Sequence, residues 1–159
     1  MIRDATAADE PFLFTMLALA ASMDESPESL DRARTDPLLL DYAAGFGAPG
    51  DLGVIADPGM GAAWLRLRQG EPHPMKLWTD DVPELAIAVR PAFRGQGVGA
   101  ELLGGLVERA RGTHPAIVLS VRRENPALHL YQRFGFFIER ELDNRVGGVS
   151  YAMRLDLCD

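Results

Sequence analysis

One segment of the sequence, residues 84–100, constrains the fold more than any other. Glu84–Val89 is an apolar run typical of a strand, and Gly97–Arg111 has apolar residues at helical spacing, with Gly112 placed as its C-cap. The residues between them are rich in arginine and glycine. A strand that enters a helix through such a turn directs the free N–H groups of the first helical turn, and the positive end of the helix dipole, to one place. The segment therefore predicts a strand–turn–helix unit with an anion-binding site at the turn.

The glycines of this turn point to a phosphate as the anion. Gly95, Gly97 and Gly99 have no Cβ, so the backbone can come close to a phosphate group. Arg94 can add a charge-assisted hydrogen bond. A purely structural turn explains one glycine, but it does not explain three alternating glycines beside an arginine. We name residues 94–100 the glycine turn, and its candidate phosphate-binding residues are Arg94, Gly95, Gln96, Gly97, Val98, Gly99 and Ala100.

Three kinds of glycine-rich phosphate site compete for this pattern. The P-loop requires a lysine after its last glycine, but the single lysine of the chain is Lys76. The dinucleotide fingerprint G-x-G-x-x-[GA] does fit Gly95–Ala100. However, Arg90–Arg94 separate this fingerprint from the strand, and only 59 residues follow Ala100 to complete such a fold. A nicotinamide cofactor is therefore a disfavoured alternative.

A third pattern, R/Q-x-x-G-x-G/A, matches Arg94–Gly99 and accounts for more of the chain. Downstream, Val121–Phe136 combines a strand end, Asn125, a short helix that carries Tyr131, and a Gly-Phe pair. Together these two motifs resemble the acetyl-CoA site of the GCN5-related N-acetyltransferase (GNAT) superfamily. The resemblance covers residues 84–138 specifically, and the order of elements elsewhere agrees with it more loosely.

The resemblance implies an α/β (α+β) fold in which helices flank a central, twisted, mixed sheet that is mostly antiparallel. A single N-acetyltransferase domain would span residues 1–159. Two adjacent parallel strands, 84–89 and 116–121, would splay apart and admit acetyl-CoA between them. The pyrophosphate would then bind the N–H groups of the glycine turn, and the pantetheine arm would pair with Ile87, Ala88 and Val89.

The same resemblance implies roles for three further groups. The N–H of Val89 would polarise the thioester carbonyl and stabilise the negative charge that develops on its oxygen. Tyr131 would bind the cofactor and protonate the departing CoA thiolate, whereas without the resemblance it would be an ordinary core tyrosine. Asn125 would hold the amide arm of the cofactor, cap the helix that starts at Pro126, or do both.

An amine acceptor must lose a proton before it attacks, so the reaction calls for a base. Glu84 is the first choice, because members of the family often carry a glutamate at this strand position. The alternative is that Glu84 is a solvated carboxylate at a strand end. Asp80, Asp81 and His73, in the preceding loop, are weaker candidates for the base.

The charge of the chain is unevenly distributed, which bears on the acceptor. Residues 1–60 hold eleven acidic residues and three arginines, whereas residues 61–159 hold twelve acidic and thirteen basic residues. The acidic N-terminal part, in particular residues 24–44, predicts a small cationic amine as acceptor. Relatives that act on protein N-termini often place a glutamate on the second splayed strand, where this chain has Ser120, so a protein or peptide amine is less favoured. The net charge of −7 disfavours nucleic acid as a partner.

Several other functions and locations are disfavoured. His73, His114 and His129 lack the spacing of metal ligands, so no metal site is expected. The longest apolar stretch, Pro11–Met23, is shorter than the roughly 20 residues of a membrane-spanning helix. Cys158 is the single cysteine, which excludes an internal disulfide. We therefore expect a cytoplasmic protein without membrane contact, for which a homodimer is the common form of assembly.

The remainder of the chain shows further strands and helices. A strand at Ile2–Ala5 should precede a helix that Asp9 opens. Ser26-Pro27 and Asp36-Pro37 each resemble an N-cap followed by proline, and the second of these helices should end near Gly45. The other predicted elements are a hairpin of residues 52–56 and 62–67, a loop over 69–83, a strand at 116–121, a helix at 126–134, and strands at 136–142 and 149–157.

The sequence thus predicts an N-acetyltransferase that passes the acetyl group of acetyl-CoA directly to an amine in a ternary complex. No convincing nucleophile is present, which favours direct transfer over a covalent enzyme intermediate. The alternative is a non-catalytic module that binds acyl-CoA as a sensor or regulator. Such a module would need the glycine turn but neither Tyr131 nor a base.

Overall fold

The computed structural model of the protein describes residues 2–21, 23–37, 39–67, 81–143 and 147–157. The strands are β1 (Ile2–Asp4), β2 (Leu52–Ala56), β3 (Gly61–Arg66), β4 (Glu84–Val89), β5 (Ala116–Arg122), β6 (Phe137–Asp143) and β7 (Val149–Asp156). The helices are α1 (Glu10–Ala20), α2 (Pro27–Thr35), α3 (Val98–Ala110) and α4 (Ala127–Arg133). Short 3₁₀ turns occur at Ala7–Asp9, Leu40–Tyr42 and Pro91–Phe93.

The described residues form one mixed sheet with the strand order β1-β2-β3-β4-β5-β7-β6. Strand β4 runs parallel to β5, with Glu84 opposite Val118 and a hydrogen bond of 3.1 Å from Val118 N–H to Pro83 O. The pairs β1–β2, β2–β3, β5–β7 and β6–β7 are antiparallel. The predicted mixed, mostly antiparallel sheet with flanking helices is therefore confirmed, including the parallel pair.

The chain divides into two compact units. Unit 1 consists of Met1–Arg66 and Ala86–Arg109, and unit 2 consists of Leu67–Leu85 and Ala110–Asp159. A single domain over the whole chain stays a prediction.

The core of unit 1 forms around the apolar face of α1. Leu13, Met16 and Leu17 are fully or almost fully buried, as their helical spacing predicted. They belong to one cluster with Trp64 of β3 and Ala88 of β4. The expected cap of α2 is also present, because Ser26 Oγ accepts a hydrogen bond of 3.2 Å from Ser29 N–H.

A close approach of β3 to β4 requires a glycine at the first residue of β3. A Cβ on Gly61 would lie 2.7 Å from the carbonyl oxygen of Ala88 and 3.1 Å from the Cα of Val89. Real side chains do not tolerate the first distance, so any other residue at position 61 would push the strands apart. Gly61 thereby fixes the position of the last residues of β4.

The helix predicted from Asp36 to about Gly45 is wrong. Asp36 is the C-cap of α2, and the following residues form only the short 3₁₀ turn at Leu40–Tyr42. Side chains from other elements hydrogen-bond the backbone here: Trp64 Nε1 donates to Tyr42 O at 2.6 Å, and Glu10 Oε2 accepts from Gly45 N–H at 2.6 Å. Single helix-type bonds remain, such as Ala44 N–H to Leu40 O at 2.8 Å, but the tertiary bonds engage the Tyr42 carbonyl and the Gly45 N–H, so the local N-cap pattern does not decide the structure.

Unit 2 contains β5, β7 and β6 with the short helix α4. Strand β5 is buried along its length except at Ser120 and Arg122, so the continuous apolar run is correctly predicted as a buried strand. Helix α4 ends before Gly135, which has a φ of +99°. Strand β6 is the last strand of the sheet, is mostly exposed, and has a bulge between Ile138 and Arg140.

The other predicted elements have the expected type with small shifts at their ends. The hairpin β2–β3 forms around residues 57–60, and α3 ends before Gly112, which has a φ of +81°. The predicted loop over residues 69–83 lies largely outside the described residues.

Candidate active site

Two residues of the glycine turn in unit 1 have a backbone conformation that favours glycine. Gly95 and Gly97 have φ values of +77° and +81°, in the region that other residues rarely adopt. An added Cβ at either residue would meet no atom within 4 Å, so the space around the turn is open. The turn thus presents an exposed and preformed stretch of backbone.

The remaining residues of the turn lead into α3. Val98 is buried, whereas Gly99 and Ala100 are half-buried in the first turn of the helix. The first N–H groups of any α-helix have no acceptor within the helix and carry its positive dipole end. Gln96 is exposed, and its Nε2 donates to Ala92 O at 3.3 Å. Binding of a phosphate by the N–H groups of this turn stays a prediction.

Arg94 connects the glycine turn to the end of β4. Its Nε donates a hydrogen bond of 3.1 Å to the carbonyl oxygen of Val89, and its side chain is exposed. The bond orients the guanidinium group, whose other nitrogens can still donate to an anion. A contact between Arg94 and a phosphate stays a prediction.

The predicted backbone for the pantetheine arm, Ile87–Val89, forms the second half of β4. Ala88 is buried, and Ile87 and Val89 are half-buried. These residues and the whole glycine turn belong to unit 1. The residues predicted to bind the pantetheine and the phosphates are therefore held by one compact unit.

Tyr131 lies on α4 in unit 2 and is 6% exposed. Its ring centroid lies 5.8 Å from that of Phe136, with the two planes tilted by 59°. Burial raises the pKa of Tyr131 to about 12, because the phenolate is poorly stabilised away from water. The side chain thus stays protonated at neutral pH, as a proton donor must be.

Asn125 precedes α4 and acts at its start. Its Oδ1 accepts a hydrogen bond of 2.9 Å from Ala127 N–H, although the side chain itself is exposed. Pro126 occupies the N-cap position of α4, and Asn125 supports the start of the helix through this one hydrogen bond. Contact of this residue with a cofactor stays a prediction.

Glu84, the first-choice base, begins β4 in unit 2 and is only 4% exposed. This burial excludes the alternative of a solvated carboxylate at a strand end. Charged side chains are rarely buried without a structural or chemical reason. Asp81 is exposed, whereas Asp80 and His73 lie outside the described residues.

Ser120 is an exposed residue of β5. It is the position at which relatives that act on protein N-termini often carry a glutamate.

No helix within the described residues is long and apolar enough to cross a membrane. Among the same residues, no group of three or more His, Cys, Asp or Glu side chains is arranged to hold a metal ion.

Sequence reasoning missed Arg90, the residue after β4, and treated it only as a spacer. Its guanidinium group bonds both Glu25 and the hairpin turn. A single arginine after a strand gives no sequence signal of such a role, because the partners are distant in the chain.

The structure defines an α/β protein with a mixed sheet, in which a glycine-rich turn leads from β4 towards the start of α3. The chain belongs to the GNAT acetyltransferase family: the model of the acetyltransferase (GNAT) domain matches residues 52–138, more than half of the chain. Acetyltransferases of this family use acetyl-CoA as the acetyl donor. The resemblance seen in the sequence is thereby confirmed.

One curated relative is the N-alpha-acetyltransferase RimI of Mycobacterium tuberculosis (strain ATCC 25618 / H37Rv). It is 39% identical over 77 residues, which are 46% of this chain and 48% of the relative. The match therefore spans about half the length of the curated relative.

Solved structures resemble the chain over its whole length. YncA from Salmonella typhimurium, determined with its cofactor acetyl-CoA, is 20% identical with a TM-score of 0.71, covering 100% of this chain and 94% of that chain. A ribosomal-protein-alanine N-acetyltransferase from Brucella melitensis is 23% identical with a TM-score of 0.67, covering 99% of both chains. At these identities the likeness establishes the fold.

Proposed function

We propose that this protein is an N-acetyltransferase that moves the acetyl group of acetyl-CoA directly to an amine. The observation that carries the proposal is the glycine turn, in which Gly95 and Gly97 hold an exposed backbone at positive φ with open space around it. Such a backbone suits the pyrophosphate of acetyl-CoA, because N–H groups and the helix dipole stabilise the negative charge.

The residues fit acetyl-CoA along its length. The glycine turn, with Arg94, would bind the pyrophosphate, and Ile87–Val89 would bind the pantetheine arm along β4. Asn125 would hold an amide of that arm. When bound, acetyl-CoA supplies an acyl group that an amine can attack without help from an enzyme nucleophile.

Each of three residues has a step in the reaction. Glu84 accepts the proton that the acceptor nitrogen loses as its bond to the acetyl carbon forms. The N–H of Val89 stabilises the negative charge that develops on the carbonyl oxygen. Tyr131 donates its proton to sulfur as the carbon–sulfur bond breaks, and solvent restores the proton.

The raised pKa of Tyr131 limits how this last step can occur. A phenol with a pKa of about 12 is a weaker acid than a thiol, whose ordinary pKa is about 8.5. Complete proton transfer would therefore go uphill if nothing else changed. Tyr131 is effective if it hydrogen-bonds the leaving sulfur while the bond breaks, so that transfer and departure occur together.

The acceptor that we favour is a small cationic amine. In unit 1, a pocket of about 440 Å³ is lined by Met23, Asp24, Glu28, Ser29 and Arg32, at the start of α2. Two of these five side chains are acidic and one is basic, which suits a ligand with positive charge. The pocket lies within the acidic N-terminal part that the sequence pointed to.

A second candidate acceptor is the α-amine of a protein or peptide. The similarity to an N-alpha-acetyltransferase over 77 residues favours it. Ser120, exposed on β5, counts against it as before. Both candidates require the same acetyl-CoA site, so they differ only in which amine binds next to the acetyl group.

Thermal unfolding tests the donor. Acetyl-CoA, CoA, NADPH and ATP are compared at equal concentration, and only the two CoA species should raise the midpoint. At about 100 times its Kd, a ligand adds roughly 2.7 kcal/mol to the folded state, a shift of a few degrees at this size. A shift with NADPH alone would revive the dinucleotide alternative, and no shift with any ligand would remove the main support for the proposal.

Release of CoA with different amines tests the transfer and the acceptor. Spermidine should be acetylated with a higher kcat/KM than a hexapeptide that starts with alanine. Glu28→Gln should raise the KM for spermidine, whereas Glu141→Gln, at an exposed glutamate of β6 outside residues 24–44, should not. The reverse preference would identify the peptide acceptor, and binding of acetyl-CoA without turnover of any amine would support the sensor.

A further inference from the structure

Arg90, which directly follows β4, joins several separate segments of unit 1. Its Nε and Nη2 donate to the two carboxylate oxygens of Glu25, each at 3.1 Å. Its Nη1 donates to Gly59 O at 2.9 Å, and its backbone N–H donates to Met60 O at 2.9 Å. The guanidinium carbon also lies 5.2 Å from the centre of the Phe12 ring. One side chain thus contacts α1, the residues between α1 and α2, and the β2–β3 turn.

The chemistry of these contacts is specific to arginine. A guanidinium group matches a carboxylate with two parallel hydrogen bonds and can stack on an aromatic ring at the same time. A lysine at position 90 would keep the charge but could not make the paired bonds to Glu25. The ion pair is partly exposed, so its value lies in fixing geometry more than in stability.

The segment that Arg90 holds borders the acidic pocket. Glu25 lies between Asp24 and Ser26, and the pocket is lined by Met23 and Asp24 on one side of it and by Glu28 on the other. Asp24 bonds within its own segment, because its Oδ1 accepts from Ser26 N–H at 3.0 Å and from the Ser29 hydroxyl at 2.7 Å. Of the neighbouring carboxylates of Asp24 and Glu25, it is therefore Glu25 that bonds Arg90 at the end of β4.

The side chain of Arg90 connects residues 23–26 to the end of β4, where the proposed reaction site lies. Val89, whose N–H would polarise the thioester carbonyl, is the residue next to Arg90. Arg94 donates to the carbonyl oxygen of the same Val89 at 3.1 Å. The end of β4 is therefore fixed to the glycine turn by Arg94 and to the α1–α2 segment by Arg90.

We propose that Arg90 is a positioning residue that holds residues 23–26 against the end of β4 and thereby aligns the acceptor amine with the acetyl group. The inference rests on the proposed acetyltransferase function. Arg90 touches neither substrate, so its loss should leave the binding of acetyl-CoA intact. It should instead misplace the acceptor, and misplacement of a reacting group by about 1 Å can cost up to about 100-fold in rate.

The experiment compares Arg90→Lys, Glu25→Gln and the double variant with the wild-type protein. The control is Asp156→Asn, which breaks a surface ion pair of 2.7 Å with Arg154 in unit 2, away from every segment that Arg90 bonds. Hydrogen exchange at residues 23–26 reports whether the segment is held. Steady-state kinetics use acetyl-CoA and whichever of spermidine and the alanine-starting hexapeptide the wild type acetylates better.

Both single variants should exchange faster at residues 23–26 and should lose about tenfold in kcat/KM for the amine. The Kd for acetyl-CoA should stay within about twofold, and the double variant should lose no more than a single variant because the two side chains act as one unit. Asp156→Asn should change none of these values.

Unchanged exchange at residues 23–26 would show that Arg90 does not hold the segment and would overturn the inference. Faster exchange with unchanged kcat/KM would also overturn it, because Arg90 would then be only structural. If the wild type turns over neither amine, the proposed function fails, and the inference fails with it. Turnover by the wild type together with additive losses in the double variant would overturn the inference alone.

Discussion

The glycine turn and the surroundings of Tyr131 both belong to the proposed active site, but they are built in opposite ways. In the turn, Gly95 and Gly97 set an exposed backbone in a conformation that other residues rarely adopt, and nothing surrounds them. Tyr131 instead is an ordinary side chain on an ordinary helix, and burial beside Phe136 changes its acidity. The backbone conformation of the turn is set by its glycines, whereas the acidity of Tyr131 is set by the residues that bury it.

The largest expected effect concerns Tyr131. Tyr131→Phe removes the proton donor and should lower kcat by about 100-fold or more, because general acid catalysis typically contributes 10² to 10⁴. The Kd for acetyl-CoA should change by less than about twofold, since the ring that packs on Phe136 remains. Steady-state kinetics and calorimetry measure both.

Tyr151→Phe is the matched control, because Tyr151 is a half-buried tyrosine of β7 in the same unit. If both variants kept the wild-type kcat, Tyr131 would be the core tyrosine that the sequence alone suggests. Burial would then change the acidity of Tyr131 without giving it a part in catalysis.

The next effect concerns the glycine turn. Gly97→Ala should raise the Kd for acetyl-CoA about tenfold or more, because a residue with a Cβ disfavours φ +81° and the turn would lose its shape. Gly112 has the same φ and equally open surroundings, so Gly112→Ala introduces the same strain at the far end of α3.

Both glycine variants should lose about 1–2 kcal/mol of stability, which is the usual cost of the left-handed conformation. Only Gly97→Ala should weaken acetyl-CoA binding, as calorimetry can measure. Equal Kd values for the two variants would mean that the turn contributes no backbone contacts to the ligand.

A smaller effect is the dependence of stability on pH. Since burial raises the pKa of Tyr131 from 10.0 to about 12, the folded state keeps a proton that the unfolded state loses above pH 10. The stability from this difference is complete below pH 10 and is lost as the pH rises through 12. At pH 11 the loss is about 1 kcal/mol.

Urea unfolding at pH 8 and pH 11 checks this value. Tyr131→Phe cannot titrate and should show a loss between the two pH values that is smaller by about 1 kcal/mol than that of the wild type. An identical loss in both proteins would indicate that Tyr131 is more solvated than its 6% exposure suggests.

The smallest effect concerns Asn125, which bonds the start of α4 and is also predicted to contact the cofactor. Asn125→Ala removes the hydrogen bond to Ala127 N–H and should lower stability by about 0.5–1 kcal/mol. Asn125→Asp keeps an acceptor for that N–H, so it should retain the stability. If acetyl-CoA binding weakens in both variants, the amide also serves the cofactor; if it weakens in neither, Asn125 only supports the start of α4.

The same contrast explains how much could be predicted from the sequence. Elements in residues 84–143 were predicted closely, because glycines, caps and buried apolar runs there agree with the tertiary structure. Residues 36–45 were predicted as a helix from an Asp-Pro pair. Trp64 and Glu10 hydrogen-bond that backbone from distant elements, and no local pattern reports such partners.

In the candidate site, too, features set by local sequence could be predicted and features set by distant residues could not. The position of the glycine turn before α3 could be predicted, because Gly95 and Gly97 adopt φ values that other residues rarely adopt; its binding of a phosphate stays a prediction. The burial of Glu84 and the raised pKa of Tyr131 could not be predicted, since both depend on how the sheet and α4 enclose them. The contacts of Arg90 were missed because Glu25 and Gly59 are far away in the chain.

The exposed edge of strand β6 has a consequence for self-association. If two copies extended the sheet by pairing these edges about a two-fold axis, each register would place one residue opposite its own copy. Centred on Arg140, the pairing sets arginine against arginine and Glu139 against Glu141; centred on either glutamate, it sets two carboxylates face to face. Like charges directly opposite each other destabilise a strand pair. The charged middle of the strand thus disfavours these registers, whereas a register centred on Ile138, next to the exposed Phe137, opposes no like charges and is the one by which two copies could pair.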